Sequence, residues 1–134
     1  MASDNYVFKA RRKDNGKWIK GDLLHNIDCT KIREQETDVQ HIARSYEVEP
    51  KTIELYTGLT NCKKQMIFGG DILDNVFVDE WAVVKWSYGS FIVKGMKSNI
   101  KTDLILVYSV CNVIGNIHDD YVLGYDLSNE MIGA

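Results

Sequence analysis

Near the start of the chain, apolar residues alternate with charged ones. Phe8 and Ala10 bracket Lys9, and Ile19, Gly21 and Leu23 bracket Lys20 and Asp22. A period of two is the signature of half-buried strands, which predicts strands over 5–12 and 17–25. Between them lies Asn15-Gly16, the dipeptide that best tolerates the positive φ angles of a two-residue type I′ hairpin loop. Such a loop sets Asp14 against Lys17, Phe8 opposite Leu23 and Lys9 opposite Asp22. One face of the hairpin then carries Tyr6, Phe8, Ala10, Ile19, Gly21 and Leu23, and that face is expected in the core.

Farther along, the pattern is mixed. Between Asp28 and Glu47, the residues Val39, Ile42, Ala43 and Tyr46 fit a helical stripe, whereas Ser45-Tyr46-Glu47-Val48 reads equally as a strand entering Pro50. Thr52 to Thr57 reads as a short strand stopped by Gly58. Ile67-Phe68 and Ile72 to Val78 read as strands flanking Gly69-Gly70-Asp71, where the aspartate can accept backbone N–H groups at a tight turn. Trp81 to Trp86 and Phe91 to Met96 form a second predicted hairpin, turning at Tyr88-Gly89 and pairing Trp86 with Phe91 and Val84 with Val93. These four side chains are expected to share the core of a barrel-like unit spanning 67–117, completed by strands over 104–110 and 113–117. A short helix is expected from Tyr121 to Ile132. Many short strands punctuated by glycine turns give a mainly β chain, α+β at most.

Composition narrows the class without naming a function. The chain has 134 residues, 45% of the apolar class and 26% charged, enough to bury roughly 68% of its unfolded surface without disulfides or metal. A single proline and no low-complexity stretch argue against a flexible linker, so one compact unit is expected. The longest strongly apolar run, Leu104 to Ile114, is shorter than the ~18 residues of a membrane span. The polar opening residues do not resemble a secretion signal. Together these features lead to the expectation of a cytoplasmic protein with no membrane association. Sixteen basic and nineteen acidic side chains give a net charge of −3, so any nucleic-acid role must rest on a local patch. Cys29, Cys62 and Cys111 are odd in number and widely spaced, which suggests neither a disulfide framework nor a zinc site.

Several segments carry a resemblance. Phe8-Lys9-Ala10 with Gly16-Lys17-Trp18-Ile19-Lys20-Gly21-Asp22-Leu23, then Tyr56-Thr57-Gly58-Leu59 followed by Phe68-Gly69-Gly70-Asp71-Ile72-Leu73, then Val83-Val84-Lys85-Trp86, and last Val113-Ile114-Gly115-Asn116-Ile117-His118 resemble, in order and spacing, the motifs of the YopX family of phage and prophage proteins. The loop from Thr60 to Met66 departs from that pattern by lacking an Asn-Gly turn, as do Gly69 in place of an acidic residue and Asp119-Asp120-Tyr121, which lacks a proline. The resemblance implies a C-terminal small SH3-like β-barrel, residues 61–134, expected to pack with the N-terminal β-hairpin region, residues 1–60, already read from the alternation. It implies a prophage-encoded accessory product and carries over no catalytic residue.

One pattern has chemical content. On the face opposite the expected core, Lys9, Arg11, Lys13 and Lys20 surround Trp18. Cations that track phosphates beside a ring that stacks a base are how sequence-tolerant single-strand binders work. The plainer reading is a solvated hairpin face whose lysine stems cover the ring. Other candidates favour the plain reading more strongly. His118, Asp119 and Asp120 are adjacent and cannot all point into one site from an extended chain. His25 and His41 have no ligand spacing. Gly69-Gly70-Asp71 belongs to no phosphate-loop pattern, Ser90 to no nucleophile elbow, and Cys62 beside Lys63 and Lys64 has no identifiable base. The expectation is a non-enzymatic module that binds a host or phage macromolecule and self-associates as a homo-oligomer, with no cofactor and no metal. Weak single-stranded nucleic-acid binding by Lys9, Arg11, Lys13, Trp18 and Lys20 is the alternative.

Overall fold

A computed structural model describes residues 7–34, 44–122 and 125–126. Its strands are β1 (Phe8–Arg11), β2 (Trp18–His25), β3 (Thr30–Glu34), β4 (Ser45–Glu47), β5 (Glu54–Thr60), β6 (Met66–Phe68), β7 (Asp71–Phe77), β8 (Glu80–Ser87), β9 (Ser90–Gly95), β10 (Lys101–Asp103), β11 (Asn112–Asn116), β12 (Tyr121–Val122) and β13 (Tyr125–Asp126). Two single 3₁₀ turns, Pro50–Thr52 and Leu104–Leu106, are the helical elements among the described residues. The chain is mainly β. It divides into two units, Met1–Tyr56 and Thr57–Ala134.

In the first unit the strands pair in the order β4-β3-β2-β1-β5. Ala10, Ile19, Ile32 and Val48 are buried on one face, with Phe8, Leu23, Tyr46 and Ile53 packed against them. Gly21 lies so close to β3 that a Cβ there would run into the Arg33 carbonyl, so only glycine lets these two strands approach. The first hairpin pairs Phe8 with Gly21, Lys9 with Lys20, Ala10 with Ile19 and Arg11 with Trp18. This register is two residues off the one expected from a two-residue loop. The loop is instead the four residues Lys13 to Gly16, closed by the Arg12 N–H donating to the Lys17 carbonyl at 2.8 Å. Gly16 takes the positive φ of 72°, while the Asn15 side-chain oxygen accepts the Lys17 N–H at 2.9 Å. Because side chains alternate with a period of two, a two-residue shift leaves every residue on the face expected for it.

The segment from Asp28 to Glu47 begins and ends as strands β3 and β4, not as a helix. Val39, Ile42 and Ala43 of the proposed stripe lie outside the described residues, as does most of the helix expected over 121–132, where Tyr121–Val122 and Tyr125–Asp126 instead pair as a short ladder. The strand expected to stop at Gly58 continues to Thr60, with Gly58 at a φ of 86°.

The second unit is built on an antiparallel sheet in the order β10-β9-β8-β7-β11. This order has two ends, so the ladder does not close into a barrel. Its hairpin β8–β9 pairs Val84 with Val93 and Trp86 with Phe91, as expected, and Tyr88 and Gly89 both take positive φ, which is the type I′ turn. One face buries Leu73, Ala82, Val84 and Val93 with Ile67, Leu104 and Cys111. The other buries Ile72 beneath Val122. Trp86 does not share the core. It lies at the strand end, beyond the cover of that face, 62% exposed, with its ring edge-on to Phe91 at 4.9 Å. The strand expected over 104–110 is also absent: Leu104 to Val110 form a 3₁₀ turn and further turns. Leu104 and Cys111 point into the core and Ile105, Leu106 and Val110 point out.

Candidate functional site

The polar face of the first sheet follows from its registers. Alternation puts Lys9 and Arg11 of β1, Trp18, Lys20 and Asp22 of β2, Lys31 and Arg33 of β3 and Glu54 of β5 on one side. Lys20 is directly opposite Lys9, and Trp18 is directly opposite Arg11. The Lys9 ammonium reaches diagonally over the indole, 4.6 Å from the ring centroid, a cation–π contact that also holds the ring in place. Glu54 lies opposite Lys9 on β5 and Asp22 opposite Arg33 on β3. The face is therefore mixed in sign, with basic residues in excess around a half-buried indole.

Arg11 is pinned on two sides. Its Nε donates to the Gly16 carbonyl at 2.8 Å, and its backbone N–H donates to Thr52 Oγ1 at 2.9 Å. Lys13 departs from the expected arrangement. It lies in the loop, where its ammonium meets the Glu47 carboxylate at 3.0 Å and its N–H donates to the Glu47 carbonyl, an attachment that raises its pKa. The structure thus brings together Lys9, Arg11, Trp18 and Lys20, and diverts Lys13 to β4. Beside them, Arg11, Arg12, Lys13, Gly16, Glu49 and Thr52 line a surface hollow of about 300 Å³. Two of its three cations, Arg12 and Lys13, are paired locally. Arg12 donates to Asp14 at 2.9 Å and lies over the Tyr46 ring at 3.7 Å, and the hydrogen bond from Arg12 holds the Asp14 carboxyl below its ordinary range.

The remaining candidates resolve into structural roles. Gly69, Gly70 and Asp71 are buried, so no phosphate reaches that turn. Asp71 Oδ2 accepts the Phe68 N–H at 2.7 Å and Oδ1 accepts the Asn116 amide at 2.9 Å. The same amide donates to the Gly69 carbonyl at 3.2 Å. Gly70 donates to the Val84 carbonyl and accepts the Ile117 N–H. His118 and Asp119 belong to the turn that follows: Asn116 Oδ1 accepts the His118 N–H, and Asp119 Oδ2 accepts the Asn116 N–H. No group of three or more metal-capable side chains occurs among the described residues. Ser90 pairs with Ser87 across the hairpin turn, His25 is exposed at the end of β2, and His41 lies outside the described residues. Cys62 is exposed and Cys111 buried.

Sequence reading missed Asn61 and Glu80, polar residues that organise loops. Asn61 Oδ1 accepts the N–H groups of Lys63 and Gln65 at 3.0 Å each, and its amide donates to Gln65 Oε1 and to the Cys111 carbonyl. An asparagine at the mouth of a loop was the available signal.

The family model described as YopX protein matches residues 7–123. The chain belongs to the YopX family. No curated protein matches it. In this YopX-family chain, the segments 68–73, 83–86 and 113–118 meet in the hydrogen-bonded node around Asp71, Gly70 and Asn116. No helix among the described residues is long and apolar enough to cross a membrane.

Proposed function

We propose that the protein is a non-enzymatic, phage-associated binding module acting in the cytoplasm, and that its working surface is the polar face of the first sheet. The ligand that this face fits best is a single strand of nucleic acid. The observation carrying this reading is the alignment of Lys9 with Lys20 and of Arg11 with Trp18 across the β1–β2 ladder. Two lysines and an arginine track phosphates, and the indole, held beneath Lys9, offers its ring to a base. An SH3-like arrangement for residues 61–134 belongs to this proposal as the scaffold that family membership implies. Self-association is part of it as well, favoured by the exposed apolar side chains Trp86, Tyr88, Ile105 and Leu106.

Fluorescence anisotropy with a labelled oligonucleotide tests the reading. With Lys13 committed to Glu47, Lys9, Arg11 and Lys20 would each meet a phosphate, so this face should contribute about −2 to the log–log salt slope, at ~0.7 per contact. Trp18→Ala should weaken binding by about 1–3 kcal/mol. Absence of binding at ~50 mM salt rejects the reading.

A further inference from the structure

The second sheet carries a cationic cluster of its own. Val83 of β8 is opposite Lys94 of β9, which is opposite Lys101 of β10. Lys85 lies two residues along β8 from Val83 and so shares their face. With strands about 4.8 Å apart and alternate residues about 6.8 Å apart, the three side chains root in a triangle with sides of roughly 5, 8 and 12 Å. Asp103, opposite Ile92, is the one carboxylate on that face of β8, β9 and β10 among the described residues. Burial first, then repulsion from Lys94 and Lys101, holds Lys85 below the ordinary lysine range.

Like charges placed directly opposite each other in a ladder are destabilising. Lysine on an edge strand guards against unwanted pairing, and that accounts for Lys101 on β10. It does not account for Lys94 on the next strand or Lys85 on the middle strand, whose edges are already paired. An anion laid across Lys94 and Lys101 would relieve the repulsion between that directly opposed pair, and Lys85 lies close enough to meet the same phosphate chain. Lys101 is exposed and Lys85 and Lys94 are half-buried, so a small anion there would be held mainly by screened charges, whereas a polymer gains affinity from several phosphates at once.

We propose that Lys85, Lys94 and Lys101 form a second phosphate-tracking face for single-stranded nucleic acid, in addition to the face of the first unit. The class of ligand rests on the function proposed above; the site does not.

Lysine acetylation of the whole protein, mapped by mass spectrometry with and without a short oligothymidylate at ~50 mM salt, separates the two. Protection of Lys85, Lys94 and Lys101 together with Lys9 and Lys20 is the expected result. Protection of Lys85, Lys94 and Lys101 alone supports this site and overturns the first-unit face. Protection of Lys9 and Lys20 alone overturns this site and leaves the first-unit face intact. Equal protection by inorganic tripolyphosphate at matched phosphate concentration replaces the strand with a small anion and overturns the proposal. Protection nowhere overturns both readings. The combined variant Lys85→Gln, Lys94→Gln, Lys101→Gln should flatten the log–log salt slope by about 2, at ~0.7 for each of three contacts. Because it removes like-charge repulsion, it should melt no lower than the parent, so an unchanged slope in the folded variant overturns the site.

Discussion

The side-chain amide of Asn116 donates to the carboxylate of Asp71 at 2.9 Å across 45 positions of sequence, and both residues are sealed from solvent. No buried side-chain polar atom among the described residues lacks a partner, so this carboxylate is a fully satisfied structural group. Asp71→Ala would remove the acceptor of the Phe68 N–H and of one N–H of the Asn116 amide. At roughly 1–3 kcal/mol for each buried group left without a partner, the loss should be roughly 2–6 kcal/mol in urea unfolding. Asp71→Asn, which keeps an acceptor, should lose less.

Trp86 provides a contrast. Sequence alternation places it beside Val84 and implies the cost of a buried aromatic, about 3–5 kcal/mol on truncation. Its exposure reduces the loss to its edge contact with Phe91, about 0.5–1.5 kcal/mol. Leu73→Ala, in the core of the same sheet, should lose about 2–5 kcal/mol. Chemical denaturation of the two variants in parallel gives the comparison.

Acid should loosen the loop after β9. Glu80 Oε1 accepts the N–H groups of Lys97 and Ser98, and Oε2 accepts the Ser98 hydroxyl. The Lys97 N–H is the main cause that lowers the Glu80 pKa below its ordinary value of 4.5. A depressed folded-state pKa means that the stabilisation is complete above 4.5 and is lost as pH falls through the folded value. Melting temperatures measured from neutral pH down to acid should fall less steeply for Glu80→Gln than for the parent.

The thiols should react in a fixed order. Cys111 is buried, desolvation raises its pKa, and its Sγ lies 3.4 Å from the Tyr108 carbonyl. Cys62 is exposed. Iodoacetamide at mild alkaline pH should modify Cys62 in the native protein and Cys111 only after denaturant is added.

How much of this was legible in the sequence depends on which physical signal each residue carried. The basic face around Trp18 survived a wrong loop length because strand alternation is insensitive to a shift of two. Lys13 was lost from it because the true loop takes that residue off the strand and toward Glu47, a partner distant in sequence. The second hairpin was readable down to its register, since Tyr88-Gly89 adopts the predicted turn. Its exposed tryptophan was not, because alternation reports which face a residue is on and not how far the opposite layer extends. The segment 104–111 was misread. Leu104, Val107, Tyr108 and Cys111 face the core at the spacing of a helical turn, a period masked by the apolar residues Ile105, Leu106 and Val110 between them. Lys85, Lys94 and Lys101 are unremarkable in the sequence and become neighbours only through the β8–β9–β10 registers.

The order β10-β9-β8-β7-β11 also has a kinetic meaning. Strands β7 to β9 join through tight turns and can assemble from local contacts, while β11 must return across a long loop to pair with β7. Closing that loop carries the larger entropy loss. Folding should therefore nucleate in the meander, with φ-values high at Val84 and Val93 and near zero at Asn116. The Asp71–Asn116 bond then acts as a late latch: its loss should speed unfolding while leaving the rate of folding almost unchanged.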